Sequence, residues 1–366
     1  MGRGAGSCLL LKYCQSTMVM MKIIAMESFD RGSHRHFREI VTRHSAHDWH
    51  WITNDQAPWK WAMRSGGLSP SLDQCPNADL LFCTSLLDVA VMRVRVEAQL
   101  GRRVPTVLYM HENQAEYPAD PARDEDPRDH HFALTNLNSI FASDLVVWNS
   151  RWNLESFIDG IASVLQHSRG LSLGDLESEI RRRSNVAWCP VQVPQPEAPC
   201  PIQGADSPLV VWPHRHEHDK GPDQLLALAR THRELPIRWA LLGERFERAP
   251  ESMQIFRDEF ADRIVFDGYP GRAIYESILG AADWVCSTAR HEFFGLSVVE
   301  AMFSGCLPWV PNGLSYRELL PAAGRGLSPA SPPADPEAVI KAIRWHLGAA
   351  EAPVAVRRID NLLETA

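Results

Sequence analysis

The chain has 366 residues, 45 of them acidic and 37 basic, a formal net charge of −8 and 45% hydrophobic content. This is the composition of an ordered globular protein, not a disordered or collagen-like one, and the length suits two domains of ordinary size. No apolar run reaches the roughly 18 residues of a membrane-spanning helix, and the acid excess argues against gripping nucleic acid by bulk charge alone. The charge is uneven. Residues 1–190 carry 20 basic and 22 acidic side chains and residues 191–366 carry 17 and 23, so a polyanion meets less repulsion at the first half.

Residues 1–20 read as an irregular extension. Their apolar core, Cys8-Leu9-Leu10-Leu11, is shorter than a signal-peptide core of roughly 7–15 residues. An alternating pattern then begins. Ile23–Met26 reads as a strand, 27–33 as a loop and His34–His44 as a helix. Ala78–Cys83, Val104–Tyr109 and Leu145–Trp148 read as three further strands. Each is an apolar run bounded by turn residues, as expected of strands buried on both faces, and strands separated by helices imply parallel βαβ units. Residues 189–208 hold six prolines, which suits a linker better than a core.

A second series follows, with strands at Leu209–Trp212, Ile237–Leu242, Arg263–Phe266, Asp283–Ser287 and Leu307–Val310. Its helices open at Gly221-Pro222-Asp223, Ala273 and Gly295, and a last one opens at the capping run Asp335-Pro336-Glu337. The expected plan is therefore an extension (1–20), a first α/β domain (21–188), a linker (189–208), a second α/β domain (209–348) and a tail or helix (349–366). Cys8, Cys14, Cys75, Cys83, Cys189, Cys200, Cys286 and Cys306 form no CxxC pair or zinc spacing. They read as reduced thiols of a cytoplasmic protein.

Open α/β sheets bind ligands at the carboxyl ends of their strands, so the chemistry is sought in the loops there. In His291-Glu292-Phe293-Phe294-Gly295-Leu296, continuing to Glu300, two carboxylates stand eight residues apart around a helix start. The first-turn N–H groups of that helix suit a diphosphate, and charges among so many apolar neighbours need partners. Arg215 and Lys220, in the loop after Trp212, can neutralise a departing diphosphate. The interleaved His214, His216 and His218, like His34 and His36, have a spacing that also occurs at zinc sites, but no carboxylate or thiolate of diagnostic spacing completes one, so no metal is expected.

In the first domain Gly32 and Ser33 lead into a helix whose start favours phosphate. His111-Glu112-Asn113-Gln114 and Asn149-Ser150 follow strands and read as cleft-lining. Trp49, Trp51, Trp59 and Trp61 lie among His50 and Lys60, and the residue types fit core packing and base stacking equally. Arg93, Arg95, Arg102, Arg103 and Arg181, Arg182 and Arg183 are candidate phosphate contacts or solvated helix faces.

The two-domain plan, Arg215 with Lys220 and Glu292 with Glu300 resemble retaining glycosyltransferases of the GT-B fold, in which two Rossmann-like doubly wound sheets face each other across a cleft. Longer strings resemble the tRNA-queuosine mannosyltransferase family. These are Glu27-Ser28-Phe29 leading to Gly32-Ser33-His34, Trp49-His50-Trp51, His111-Glu112-Asn113-Gln114 with Tyr117-Pro118, Asn149-Ser150 leading to Asn153, Trp212-Pro213-His214-Arg215, and His291-Glu292-Phe293-Phe294-Gly295. The likeness spans about residues 21–320.

The resemblance implies transfer of mannose from GDP-mannose, with retention, to the queuosine cyclopentenediol at the wobble position of tRNA-Asp. The implied catalytic residues are His111, Arg215, Lys220 and Glu292. The donor side adds Gly32, Ser33, Tyr269, Phe294, Gly295, Leu296 and Glu300. The acceptor side comprises His34, Trp51, Glu112, Asn113, Gln114 and Asn149. The family pattern implies no metal or other cofactor, a sugar nucleotide and a queuosine-bearing tRNA as partners, and no membrane or protein partner. Two alternatives stay open on the residues alone: a different acceptor, or a nucleotide- or tRNA-binding module without catalysis.

Overall fold

The computed structural model describes residues 20–68, 71–72, 77–116, 130–166, 173–245 and 250–366. Of the positions singled out in the sequence, Cys8, Cys14, Cys75, Tyr117, Pro118 and nearly all of the 1–20 extension lie outside the described residues.

The first sheet holds β1 (Lys22–Glu27), β2 (Asp48–Thr53), β3 (Leu80–Thr84), β4 (Thr106–Met110), β5 (Leu145–Trp148) and β6 (Ser184–Val186) in the order β2-β1-β3-β4-β5-β6. Every pairing is parallel. β3, β4 and β5 are buried at every position, because helices cover both faces and leave no solvated side to alternate toward.

β2 and β6 were not anticipated, and both are sheet edges. In β2 the residues of Asp48-Trp49-His50-Trp51-Ile52-Thr53 alternate in burial. Trp49 and Trp51 stack at 5.2 Å and lie edge-on to Phe82 of β3. The tryptophans are therefore the inward side of a period-two strand. β6 has three residues, all only partly buried, and offers no apolar run to recognise.

The second sheet holds β7 (Leu209–Trp212), β8 (Arg238–Leu241), β9 (Ile264–Asp267), β10 (Trp284–Cys286) and β11 (Leu307–Trp309), in the order β11-β10-β7-β8-β9 and all parallel. Its order reverses between β7 and β10, and that of the first sheet between β1 and β3. A crevice opens at such a reversal because the flanking loops leave on opposite faces of the sheet.

The final helix, Ala352–Leu363, leaves the second domain and packs on the first-domain helix Gly32–His44. The Asp360 carboxylate accepts from the Ser45 hydroxyl at 2.7 Å and from the Ala46 N–H at 2.9 Å. The proline-rich stretch forms one bridge, Val191 to Glu351, beside the same helix. Nearer the cleft the Ser150 hydroxyl donates to the Phe293 carbonyl at 2.5 Å, and Glu318 accepts from the Arg151 N–H at 2.7 Å and the Trp188 indole at 2.6 Å. The expected cap of the helix Pro336–Leu347 is present: Asp335 accepts from the Ala338 N–H at 3.0 Å. Among the described residues no helix is long and apolar enough to cross a membrane.

Candidate active site

The loops after β7 and β10 are laced together. The Trp212 indole donates to the Thr288 hydroxyl at 3.1 Å, that hydroxyl donates to the Lys220 carbonyl at 3.0 Å, and the Arg290 N–H donates to the Asp219 carbonyl at 2.9 Å. Contact this close needs a residue without a Cβ. Gly221 sits at φ +65°, and a Cβ there would overlap the Thr288 carbonyl oxygen.

This lacing sets the Lys220 ammonium 3.2 Å from Glu292 Oε2, 3.1 Å from Asp219 Oδ2 and 3.4 Å from the His291 carbonyl. Burial pushes the Asp219 carboxyl up, but Lys220 and Arg215 more than offset it and hold the group below the usual carboxylate range. Arg215 is exposed and forms an ion pair with Glu217 at 2.9 Å. A side chain placed there can swing toward an anion in the crevice.

Gly295, at φ +84°, caps the helix Leu296–Ser304, and a Cβ would press on Tyr316 and Glu292 at 3.1 and 3.3 Å. The helix start, bordered by buried Phe293 and Phe294 and half-buried Leu296, therefore faces the same place as Glu292 and Lys220. Its first-turn N–H groups and positive pole are suited to phosphate. Tyr316 donates to the Ser287 hydroxyl at 2.7 Å, and Ser287 also bonds His214 Nε2 at 2.9 Å, fixing the floor of the crevice.

Glu300 is present but not open. It is buried, 2.6 Å from an Arg272 nitrogen and 3.1 Å from the Tyr275 hydroxyl. Burial pushes its carboxyl up, and Arg272 and Tyr275 pull it back only in part. Arg272 and Tyr275 were missed in the sequence. Their signal is an i, i+3 pair on the first turn of the helix Arg272–Ala281, which puts both on one face. Tyr269 lies just before that helix, exposed on the loop after the edge strand β9.

On the first-domain side, His111 follows β4 and is buried, only 8% exposed, with no partner for Nε2. Its ring lies 4.3 Å from that of His34, whose Nδ1 is 3.0 Å from Glu27 Oε2. Burial and the His34 charge push the His111 pKa well below 6.5, so it is a neutral imidazole. Glu27, His34 and His111 are all buried and offer ligand atoms within 4.8 Å of one another, a donor set that a metal ion could use and that also satisfies the Glu27–His34 ion pair. The serial histidines do not converge: His214 faces Ser287, His216 faces Arg257 and His218 faces Arg290.

Glu112 accepts from the Gln114 amide at 2.9 Å. Burial pushes its carboxyl up, while His34, Arg215 and Lys220 pull it down. The last two belong to the other domain, so Glu112 looks across the cleft at the paired cations.

Two sequence expectations need correction. Asn113 is not cleft-lining. It is fully buried, donating to Asn153 and Ser156 and accepting from the Ala115 and Glu116 N–H groups. Asn149 likewise turns inward, donating to the His111 carbonyl at 2.7 Å and accepting from Asn153 at 2.9 Å. Both hold the His111 loop, because an amide has a donor and an acceptor to satisfy and a buried turn offers both partners. Trp51, in the edge strand β2, packs on Phe82 of β3. The arginines are engaged within the fold: Arg93 with Glu97 and Asp144, Arg103 with Asp144, Arg181 with Glu155 and Glu177, Arg182 with Glu179, and Arg95, Arg102 and Arg183 with backbone carbonyls. Gly32 and Ser33 are exposed at the start of their helix, with open space around Gly32.

Two facing doubly wound domains with a cation–carboxylate pair at a helix start define a GT-B glycosyltransferase, and the comparisons agree. The family model described as glycosyl transferases group 1 matches residues 202–358, and the model described as tRNA-queuosine alpha-mannosyltransferase N-terminal matches residues 22–191. The first half of the chain is thus similar to the tRNA-queuosine alpha-mannosyltransferases and the second half to the group 1 glycosyl transferases. The chain is 29% identical over 313 residues to the tRNA-queuosine alpha-mannosyltransferase of Drosophila melanogaster, covering 82% of this chain and 81% of the relative. Among solved structures it resembles Anabaena Alr3699/HepE in complex with UDP and glucose (TM-score 0.58, 16% identity, 94% of this chain and 100% of that one). It also resembles the trehalose-6-phosphate synthase OtsA (TM-score 0.64, 10% identity, 94% and 99%). At those identities the likeness is one of fold.

Proposed function

We propose that the chain transfers mannose from GDP-mannose to the cyclopentenediol of queuosine at the wobble position of tRNA-Asp, with retention of anomeric configuration, in the cytoplasm. The second domain (209–348) takes the donor and the first (21–188) the acceptor, across the linker 189–208. The observation that carries this reading is the placement of Lys220 against Glu292 at the reversal of the second sheet, beside the start of the helix Leu296–Ser304.

In this reading the diphosphate lies on the helix start, and its negative charge draws Lys220 and Arg215. Glu292, released from Lys220, accepts from sugar hydroxyls. Glu300, shared with Arg272 and Tyr275, meets the ribose. As the bond from the anomeric carbon to the phosphate oxygen breaks, the acceptor oxygen bonds to that carbon on the same face. The acceptor proton passes to the departing phosphate oxygen. Neutral His111 faces the transferred sugar. The cations and the helix pole supply the positive charge that a metal would otherwise bring. The thiols support the compartment: Cys83, Cys286 and Cys306 are buried and pushed up by burial, and Cys189 is pushed up to about 12, so none of these is poised to react.

Incubation with GDP-mannose and either queuosine-containing or queuosine-free tRNA, read as nucleosides by mass spectrometry, tests the proposal. The expected product is one hexose heavier than queuosine, in the first tRNA only. Equal or absent labelling of the two removes queuosine as the acceptor, and labelling from UDP-sugars alone removes the GDP donor.

A further inference from the structure

The short helix Trp59–Ser65 has no part in the chemistry above, yet it sits at the acceptor end of the first domain. Its Met63 packs with Leu86 and Phe132, and Phe29 and Trp59 close that cluster. Phe29 lies in the loop after β1, edge-on to His34 at 5.9 Å, and His34 is the neighbour of His111. The helix ends on that same loop, since a Cβ on Gly66 would come within 2.7 Å of Ser28 Cβ.

The outer face of this helix is unusual. Ala62 and Met63 are fully buried, which anchors the helix, while Trp61 is 62% exposed. A single exposed apolar residue is ordinary, but this one is flanked by cations. Trp61 and Arg64 are three residues apart and Lys60 and Arg64 four apart, so they share one side. Lys60 lies 5.5 Å from the Trp59 ring centroid, and Arg64 lies 4.8 Å from that of Phe132. Arg31 adds a third cation over Phe29 at 5.6 Å. Arg64 also donates to the His131 ring at 3.0 Å and Arg31 to the Asp55 carbonyl at 2.5 Å, and among the described residues Asp30 pairs with Arg38 and Asp55 with Arg35.

We propose that this face is an RNA platform, on which Trp61 stacks a base of the loop bearing the modified nucleotide while Lys60 and Arg64 meet its phosphates. Resting on the tRNA reading above, it names the surface that reading lacks. Exposed aromatics with adjacent cations are how proteins hold unpaired nucleotides. The platform also accounts for how a chain of net charge −8 holds a polyanion: the basic groups are local.

The test compares wild type with Trp61→Ala, Trp61→Phe and Lys60→Ala. It measures transfer to queuosine-containing tRNA against tRNA concentration and salt, and GDP affinity separately. Trp61→Ala is expected to raise KM for tRNA about tenfold, as the loss of one stacked base implies. It is expected to leave saturated kcat and GDP affinity unchanged, while Trp61→Phe keeps most of the wild-type KM. Lys60→Ala should lower the slope of log affinity on log salt by about one. An unchanged KM in Trp61→Ala overturns the platform while the tRNA reading stands. A wild-type protein that binds GDP but neither binds nor modifies tRNA overturns both.

Discussion

The Lys220 ammonium and the Glu292 carboxylate stand 3.2 Å apart, yet they come from loops on either side of the strand reversal in the second sheet. The pair is mostly shielded, with each side chain less than a fifth exposed. Removing one partner thus strands the other. Lys220→Ala is expected to lower kcat by about two to three orders of magnitude, the usual loss for one preorganised charge at a developing anion. Glu292→Gln keeps the shape and loses the charge, so its defect should fall on turnover while GDP still binds. Steady-state kinetics with GDP titrated by calorimetry separates the two. Near-normal turnover in Lys220→Ala removes the assigned role.

Gly221 makes that pair possible. Its backbone is left-handed, and a Cβ would overlap the Thr288 carbonyl. Gly221→Ala carries both a conformational cost and a backbone clash, so a loss of at least about 2 kcal/mol is expected. The readout is the midpoint of denaturant unfolding. Gly271→Ala is the control, because nothing lies within 4 Å of a Cβ there and its φ is negative. Equal midpoints for the two variants contradict the close approach of these loops.

How far the sequence revealed all this varied by element. β4, β5, β7 and β8 are buried on both faces or nearly so, and a continuous apolar run of that length between turns fits a doubly covered strand and little else. The edges β2 and β6 lacked that run. The site followed the same rule. Arg215, Lys220, Glu292 and Gly295 were legible because they stand where strands end and helices begin. Arg272 and Tyr275 on Glu300 are pairings made only by tertiary approach. Asn113 and Asn149 misled because an amide at a strand end suits ligand contact and loop bracing equally, and burial alone distinguishes them.

Acid should unfold the protein through its histidines. Burial is the first cause in each case. It lowers His36, His216 and His291 to about 4 and His214 to about 3 from an ordinary 6.5, and His111 falls well below as well. A lowered histidine is neutral when folded and binds a proton on unfolding, so its contribution is whole above about 6.5 and is lost as pH falls toward the folded value. His34, raised by Glu27 despite burial, works the other way, as do the raised Glu112 and Glu300. With Glu116 also raised, five lowered histidines stand against four raised groups and give stability that declines between about pH 6.5 and 5. Denaturant midpoints at about pH 7.5, 6.0 and 5.0 should fall in that order. His214→Gln should flatten the decline, and a curve level across that range contradicts the neutral, buried state of these rings.

Asn149 offers a test of the first domain that leaves the donor alone. Its amide donates to the His111 carbonyl at 2.7 Å and accepts from Asn153, which in turn bonds the Met110 carbonyl at 3.0 Å. The chain of amides holds the turn that carries His111, while the His111 side chain makes no hydrogen bond through Nε2. Truncation to alanine leaves a buried carbonyl without its donor, a loss of about 1–3 kcal/mol. It also lets the imidazole wander from the reacting sugar. Asn149→Ala should therefore lower both stability and kcat, with GDP affinity intact, because the side-chain contacts of Asn149 lie in the first domain. Asn149→Asp is the sharper variant, since it keeps the volume and the acceptor but cannot donate. If His111 position matters, aspartate fails as badly as alanine in turnover. Should aspartate restore turnover, the amide N–H is not what positions His111, and the buried contact to its carbonyl serves stability alone.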